Sequence, residues 1–235
     1  MSLAAVLYQA GQPLVVEEIH VAEPRAGEVL VRMKAAGVCH SDLHVMKGDL
    51  PMPLPIVLGH EGAGVVESVG PGVTSVAPGD SVWPIWRSSC GRCHYCQLGR
   101  PALCELGTAM RFTGLMPDGE TRFHTKSGIP IRHYAGVSTF SSLSTMPEAA
   151  VVKIESGVPL WKAAIVSCGV ITGVGAVTHA AQVVPGSTVA VFGCGGVGLN
   201  ILQGARLVSA TKIIAVDPVA SKEAVARILG ATHFV

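Results

Sequence analysis

The chain has 235 residues, 49% of them hydrophobic, and a formal net charge of +1 from 17 basic and 16 acidic side chains. That is enough apolar material for one large or two ordinary domains, which excludes disorder, and with no basic run nothing recruits DNA, RNA or anionic lipid. The N-terminus, MSLAAVLYQAGQP, lacks a positive n-region and its apolar stretch is too short for a signal peptide, so a cytoplasmic location is expected, and there seven cysteines point to metal ligation over disulfides.

The first third reads as short strands. AAVLY (4–8), LVVEEIHV (14–21) and EVLVRMKAAG (28–37) are β-prone runs separated by Gly-Gln-Pro and Pro-Arg-Ala-Gly turns, which predicts an irregular, barrel-like β-domain. Next comes GVCHSDLHVMKGDLPMPLPIVLGHEGAG (37–64), in which Cys39, His60 and Glu61 are ligands suited to zinc, and Ser41 and His44 offer a hydroxyl and an imidazole for a proton path. A catalytic zinc takes three protein ligands and keeps a fourth position open. Cys168, in IVSCGVITGVG, is the candidate third ligand; the competing reading is of ordinary buried cysteines and a core histidine. Residues 39–45 allow a single helical turn, GVVESVG (64–70) is a strand, and Pro78-Gly79-Asp80 leads into SVWPIW (81–86).

Cys90, Cys93, Cys96 and Cys104 stand in the order C-x2-C-x2-C-x7-C. Four thiolates so close repel unless a metal neutralises them, and an all-thiolate set of four is a closed structural zinc site. An iron–sulfur cluster is the alternative, but the ferredoxin run places its fourth cysteine after three residues and before a proline, whereas Glu105 follows Cys104. His94, inside this lobe, is expected to be exposed. Residues 107–147, rich in Gly, Ser, Thr and Pro, read as a long loop with short strands around 129–134.

From Glu148 the composition changes. WKAAIVSC (161–168) and ITGVGAVTHAAQV (171–183) predict helices. No charged side chain occurs between Lys162 and Arg206, but the Gly, Ser and Thr content, His179, Gln182 and Pro185-Gly186 favour a buried α/β core over a membrane helix. TVAVFGCGGVGLNILQGARLV (188–208) then gives a strand, a glycine turn and a helix, with Gly193, Gly195 and Gly198 in the spacing G-x-G-x-x-G around Gly196 and Val197. A second strand, KIIAV (212–216), ends at Asp217, where a carboxylate can hold a ribose 2′-hydroxyl. This predicts dinucleotide binding, NAD over NADP because Asp217 repels a 2′-phosphate, with Lys222 in reach of the same ribose. ASKEAVARILGA (220–231) reads as an amphipathic helix and THFV as the start of another strand.

GVCHSDLH, GHEGAG, the four-cysteine lobe, SCGVITGVGA and GCGGVG, in that order, resemble the zinc-dependent medium-chain alcohol dehydrogenases along the whole chain. The resemblance implies an α/β protein: a GroES-like catalytic domain over 1–155, with its structural zinc lobe at 88–106, and the first part of a Rossmann domain over 156–235. It implies two zinc ions, one structural on the four lobe cysteines and one catalytic on Cys39, His60 and Cys168. Glu61 would sit beside the catalytic ion and Asp42 would orient His60 from behind. Trp86 and Thr172 fall where the family lines the substrate and nicotinamide pocket, Trp86 favouring primary over branched secondary alcohols, and His40 where it contacts the pyrophosphate.

The reaction implied is oxidation of an alcohol to an aldehyde or ketone, and its reverse, by hydride transfer to NAD, with zinc as Lewis acid and a proton path from Ser41 to His44. Partners implied are a small alcohol or aldehyde, with no nucleic acid or membrane, and full-length relatives are homo-oligomers. Family members continue beyond the position of Val235, so a C-terminally truncated member is expected, with weak NAD binding and little turnover by itself. The alternative is a non-catalytic zinc-binding remnant.

Overall fold

A computed structural model describes residues 1–155 and 157–235. The chain forms two compact units, Met1–Ser167 and Cys168–Val235.

The first unit runs β1 (Ser2–Leu7), β2 (Val15–Val21), β3 (Glu28–Gly37), α1 (His40–Lys47), β4 (Ile56–Val57), β5 (Glu61–Val69), β6 (Ser81–Pro84), α2 (His94–Gln97), α3 (Glu105–Thr113), β7 (Phe123–His124), β8 (Pro130–His133), β9 (Leu143–Pro147), β10 (Val151–Lys153) and α4 (Leu160–Ala163). Strands β1, β2, β7, β8 and β4 close into a barrel around Ala4, Val6, Ile19, Val57, Phe123 and Ile131. The other five form a sheet in the order β10-β6-β5-β3-β9. Its centre is β3, paired antiparallel to β5 from Val29↔Val69 to Gly37↔Glu61. β-Branched side chains at Val29, Val31, Val66 and Val82 pack with Met146 into one core, each buried valine contributing about 1.5–3 kcal/mol. This pairing brings the ends of β3 and β5 together, so Cys39, just past β3, and His60, just before β5, become neighbours.

The second unit runs α5 (Gly169–Gly175), a π-helical turn (Ala176–Ala180), β11 (Thr188–Phe192), α6 (Gly196–Leu207), β12 (Lys212–Val216), α7 (Glu223–Ile228) and β13 (His233–Phe234). The strands are parallel, in register Val191↔Ala215 and Ala215↔Phe234, and Val191, Leu202, Ala205, Ile213, Ala215 and Ala226 form the core beneath α6 and α7. A β-α-β unit of this kind is the incomplete Rossmann pattern expected.

Four local expectations are corrected. Residues 39–45 are not a single turn but the eight-residue α1. The supposed loop at 107–147 contains most of α3, all of β7 and the strand β9 as well as β8. The first predicted helix is short, α4 followed by a 3-10 turn over Ala164–Ser167, and ends before Cys168. Residues 220–231 begin as a 3-10 turn, with α7 only over Glu223–Ile228. Among the described residues no single helix is long and apolar enough to cross a membrane.

Candidate functional site

Cys39 is the N-cap of α1, and Asp42, three residues on, turns its carboxylate back to accept the Cys39 backbone N–H at 3.0 Å. The other oxygen of Asp42 accepts the N–H of Gly59 at 3.1 Å and faces His60 Nδ1 at 3.2 Å. Asp42 is 1% exposed and His60 4%. One buried carboxylate therefore fixes the segments on both sides of the site and orients the His60 ring between them. His60 also lies edge-on to Trp86 and Tyr134, with ring centroids 6.2 and 5.5 Å away.

Ser167 closes the arrangement, its Oγ accepting the N–H of Gly62 at 3.1 Å. Cys168 follows by one peptide bond, with φ −138° and ψ −74°, between two helical segments. One ligand atom each from Cys39, His60, Glu61 and Cys168 lies within 4.8 Å of every other. Two sulfurs, an imidazole and a carboxylate so close and so well buried fit a borderline-soft ion such as zinc, with Glu61 as the hard, weakest member of the set.

Ser41 Oγ is 3.7 Å from Cys39 Sγ. His40 and His44 are exposed on α1, ring centroids 5.6 Å apart, and His44 Nδ1 meets Asp49 at 3.2 Å.

The lobe cysteines form the second set, again with ligand atoms mutually within 4.8 Å, and none of the seven cysteines is in a disulfide. Cys93 Sγ and Cys104 Sγ are 3.9 Å apart, close to the edge of about 3.8 Å that a tetrahedron with Zn–S bonds of about 2.3 Å requires. Backbone N–H groups point at the sulfurs, Cys90 and Gly107 at Cys104 and Cys93 at Cys90. The N–H of Cys96, and after it that of Glu105, draw the Cys93 thiol down to about 6, while burial and then the Cys93 sulfur push Cys96 up to about 12. His94 is exposed on α2, as expected.

In the second unit Gly193 turns the chain at φ +92°, and α6 begins at Gly196. A Cβ on Gly198 would lie 1.8 Å from the Gly193 carbonyl oxygen, so only glycine lets the helix start this close to the strand. Asp217, at the end of β12, is buried. Its carboxylate accepts the N–H of Cys194 at 2.7 Å and of Val219 at 3.0 Å, and pairs with Lys222 Nζ at 2.8 Å. Lys222 and then these N–H donors hold it down at about 2. Gly195 and Val197 lie on the open side of the same turn, and Thr172 is exposed on α5.

Two side chains escaped the sequence reading. Arg87 and Arg111 place their guanidinium carbons 5.5 and 5.6 Å from the Trp86 ring centroid. Arg87 is adjacent to Trp86 in sequence, which was a usable signal, whereas Arg111 comes from α3, itself unforeseen.

A β-barrel unit, a β-α-β unit with a glycine turn, and two cysteine-containing ligand sets together define a zinc-binding protein of the dehydrogenase type. The family described as alcohol dehydrogenase GroES-like domain matches residues 25–156. Among curated proteins, S-(hydroxymethyl)glutathione dehydrogenase of Paracoccus denitrificans is 48% identical over 233 residues, 99% of this chain and 62% of that one. NDMA-dependent alcohol dehydrogenase of Amycolatopsis methanolica is 48% identical over 98% of this chain and 62% of its own. Among solved structures, an alcohol dehydrogenase zinc-binding domain protein from Burkholderia ambifaria superposes with a TM-score of 0.95 at 42% identity, covering 100% of this chain and 63% of its own. Benzyl alcohol dehydrogenase of Acinetobacter calcoaceticus gives 0.92 at 36% identity, covering 99% and 63%. The chain thus spans less than two thirds of the length of these relatives. It belongs to the zinc-dependent medium-chain alcohol dehydrogenase family.

Proposed function

We propose that the protein oxidises an alcohol to an aldehyde or ketone, and reverses the reaction, with NAD. The observation that carries this reading is the convergence of Cys39, His60, Glu61 and Cys168 around one point, with Asp42 behind His60. Cys39, His60 and Cys168 would hold the catalytic zinc and Glu61 would stand beside it; Cys90, Cys93, Cys96 and Cys104 would hold the structural one. When bound, zinc supplies the Lewis acidity that brings an alcohol hydroxyl's pKa toward neutrality, and NAD supplies the hydride acceptor.

The chain's own residues do the rest. Asp42 keeps His60 in one tautomer and one orientation, and Trp86 walls the space beside the ring. Ser41 Oγ, next to Cys39, relays the hydroxyl proton, accepting it while releasing its own toward His44. His44, exposed and paired with Asp49, is the group that hands a proton to water. On the second unit the N-terminus of α6, at Gly195, Gly196, Val197 and Gly198, receives the pyrophosphate through backbone N–H groups. Asp217 and Lys222 hold the adenosine ribose, the acidic side chain favouring NAD over NADP. His40 supports the pyrophosphate and Thr172 the nicotinamide side, roles inferred from the family.

The test is an assay of NADH formation from a panel of primary alcohols. It uses the zinc-loaded 235-residue chain and a version extended with the C-terminal part of a relative. Turnover in either form, abolished by Cys39→Ser, supports the proposal; no turnover in both, with zinc loaded, contradicts it.

A further inference from the structure

Arg87 leaves the end of β6 and Arg111 stands in the last turn of α3, and both guanidiniums lie against the ring of Trp86. The same ring lies edge-on to His60. Among the described residues neither guanidinium hydrogen-bonds or ion-pairs with another side chain, whereas Arg25, Arg32, Arg122 and Arg227 each hold a carboxylate. Both arginines are partly buried. Burial, and then the like charge of Arg111, hold Arg87 below the ordinary guanidinium range.

Two half-buried cations side by side, without a carboxylate to answer them, are unfavourable until an anion arrives. The indole ring attracts each cation, and the planar fork of N–H donors on a guanidinium matches the two oxygens of a carboxylate or phosphate. We infer that Arg87 and Arg111 form an oxyanion subsite beside Trp86, and that the preferred alcohol carries a carboxylate or phosphate at the end remote from its hydroxyl. The inference rests on the reading of the Cys39/His60 region as an alcohol site. The thiolates of the lobe are the other negative charge nearby, since Cys104 attracts Arg87, and the test separates the two roles.

Binding to the zinc-loaded chain is measured by calorimetry and tryptophan quenching for benzyl alcohol, 4-(hydroxymethyl)benzoate and 4-(hydroxymethyl)phenyl phosphate. One or both charged probes are expected to bind at least about tenfold more tightly than the neutral one, the stronger of the two naming the oxyanion. That ratio should fall toward one in Arg87→Gln/Arg111→Gln and shrink with added salt. If the Gln pair does not fold, Arg87→Lys and Arg111→Lys, which keep charge but lose the fork, should each lower the ratio several-fold. Equal binding of all three probes overturns the inference. So does a ratio unchanged in the variants, the result expected if the arginines serve only as counter-charges to the lobe thiolates. Selective binding of charged probes, with no turnover of any alcohol by the chain or by its extended version, would contradict the dehydrogenase reading and leave the subsite standing.

Discussion

Asp42 Oδ1 faces His60 Nδ1 at 3.2 Å, and the same carboxylate holds the backbone N–H of Cys39. Two residues of one ligand set, far apart in sequence, thus share one buried support. Replacing it tests whether they act as a site.

Asp42→Asn keeps the shape but removes the charge and turns an amide N–H toward groups that are themselves donors. The affinity of the Cys39/His60/Cys168 set for zinc should fall about 10–100-fold, while the four-cysteine set keeps its metal. Competition against a chromophoric chelator resolves the two sites; parallel loss at both would mean that Asp42 acts only on folding.

Asp217 joins the end of β12 to the glycine turn through Cys194 and to Lys222. Asp217→Gly should weaken NAD binding and relieve the exclusion of NADP, read by titrating each cofactor against the folded variant. Because the carboxyl is held at about 2, below its ordinary 3.8, its contribution to stability is complete above about pH 4 and is lost as pH falls through that window. The variant should therefore show a shallower loss of stability between pH 4 and 2 than the parent.

His133 is fully buried at the end of β8, stacked on Phe123 at 4.1 Å, with Nε2 accepting the backbone N–H of Arg122 at 3.0 Å. Burial, and after it the Arg122 guanidinium, lower it from 6.5 to about 3, so it stays neutral in the folded chain. The unfolded chain binds a proton below pH 6.5 that the folded chain refuses, so stability falls as pH drops from 6.5 toward 3. Between pH 6.5 and 5 this histidine alone should cost roughly 2 kcal/mol. Denaturant unfolding of His133→Gln, which keeps an acceptor for Arg122 and cannot titrate, should remove that part of the slope; an unchanged slope would place the acid sensitivity elsewhere.

The four-cysteine lobe and the glycine turn were legible because their chemistry is local: C-x2-C-x2-C and G-x-G-x-x-G keep their residue types at fixed spacings, whereas Cys39, His60 and Cys168 are scattered along the chain and were grouped by residue type and family resemblance. It concealed α3, whose ELGTAMRFT carries a glycine and two threonines in nine residues. The structure explains the glycine, since a Cβ on Gly107 would lie 2.2 Å from the Ser88 carbonyl oxygen, a tertiary contact that outweighs helix propensity. β9 was missed for a related reason: LSTMP is a strand because β3 pairs with it, from Glu28↔Pro147 to Arg32↔Leu143. The buried ion pair of Arg122 with Glu28, 94 residues apart, left no mark in either local sequence.

Native mass spectrometry of the purified protein counts the zinc ions on each chain. Two ions are expected in the parent, one in Cys39→Ser, and one in Cys90→Ser/Cys93→Ser. A single ion in the parent, unaffected by Cys39→Ser and lost with Cys90 and Cys93, would show that Cys39, His60 and Cys168 do not form a zinc site.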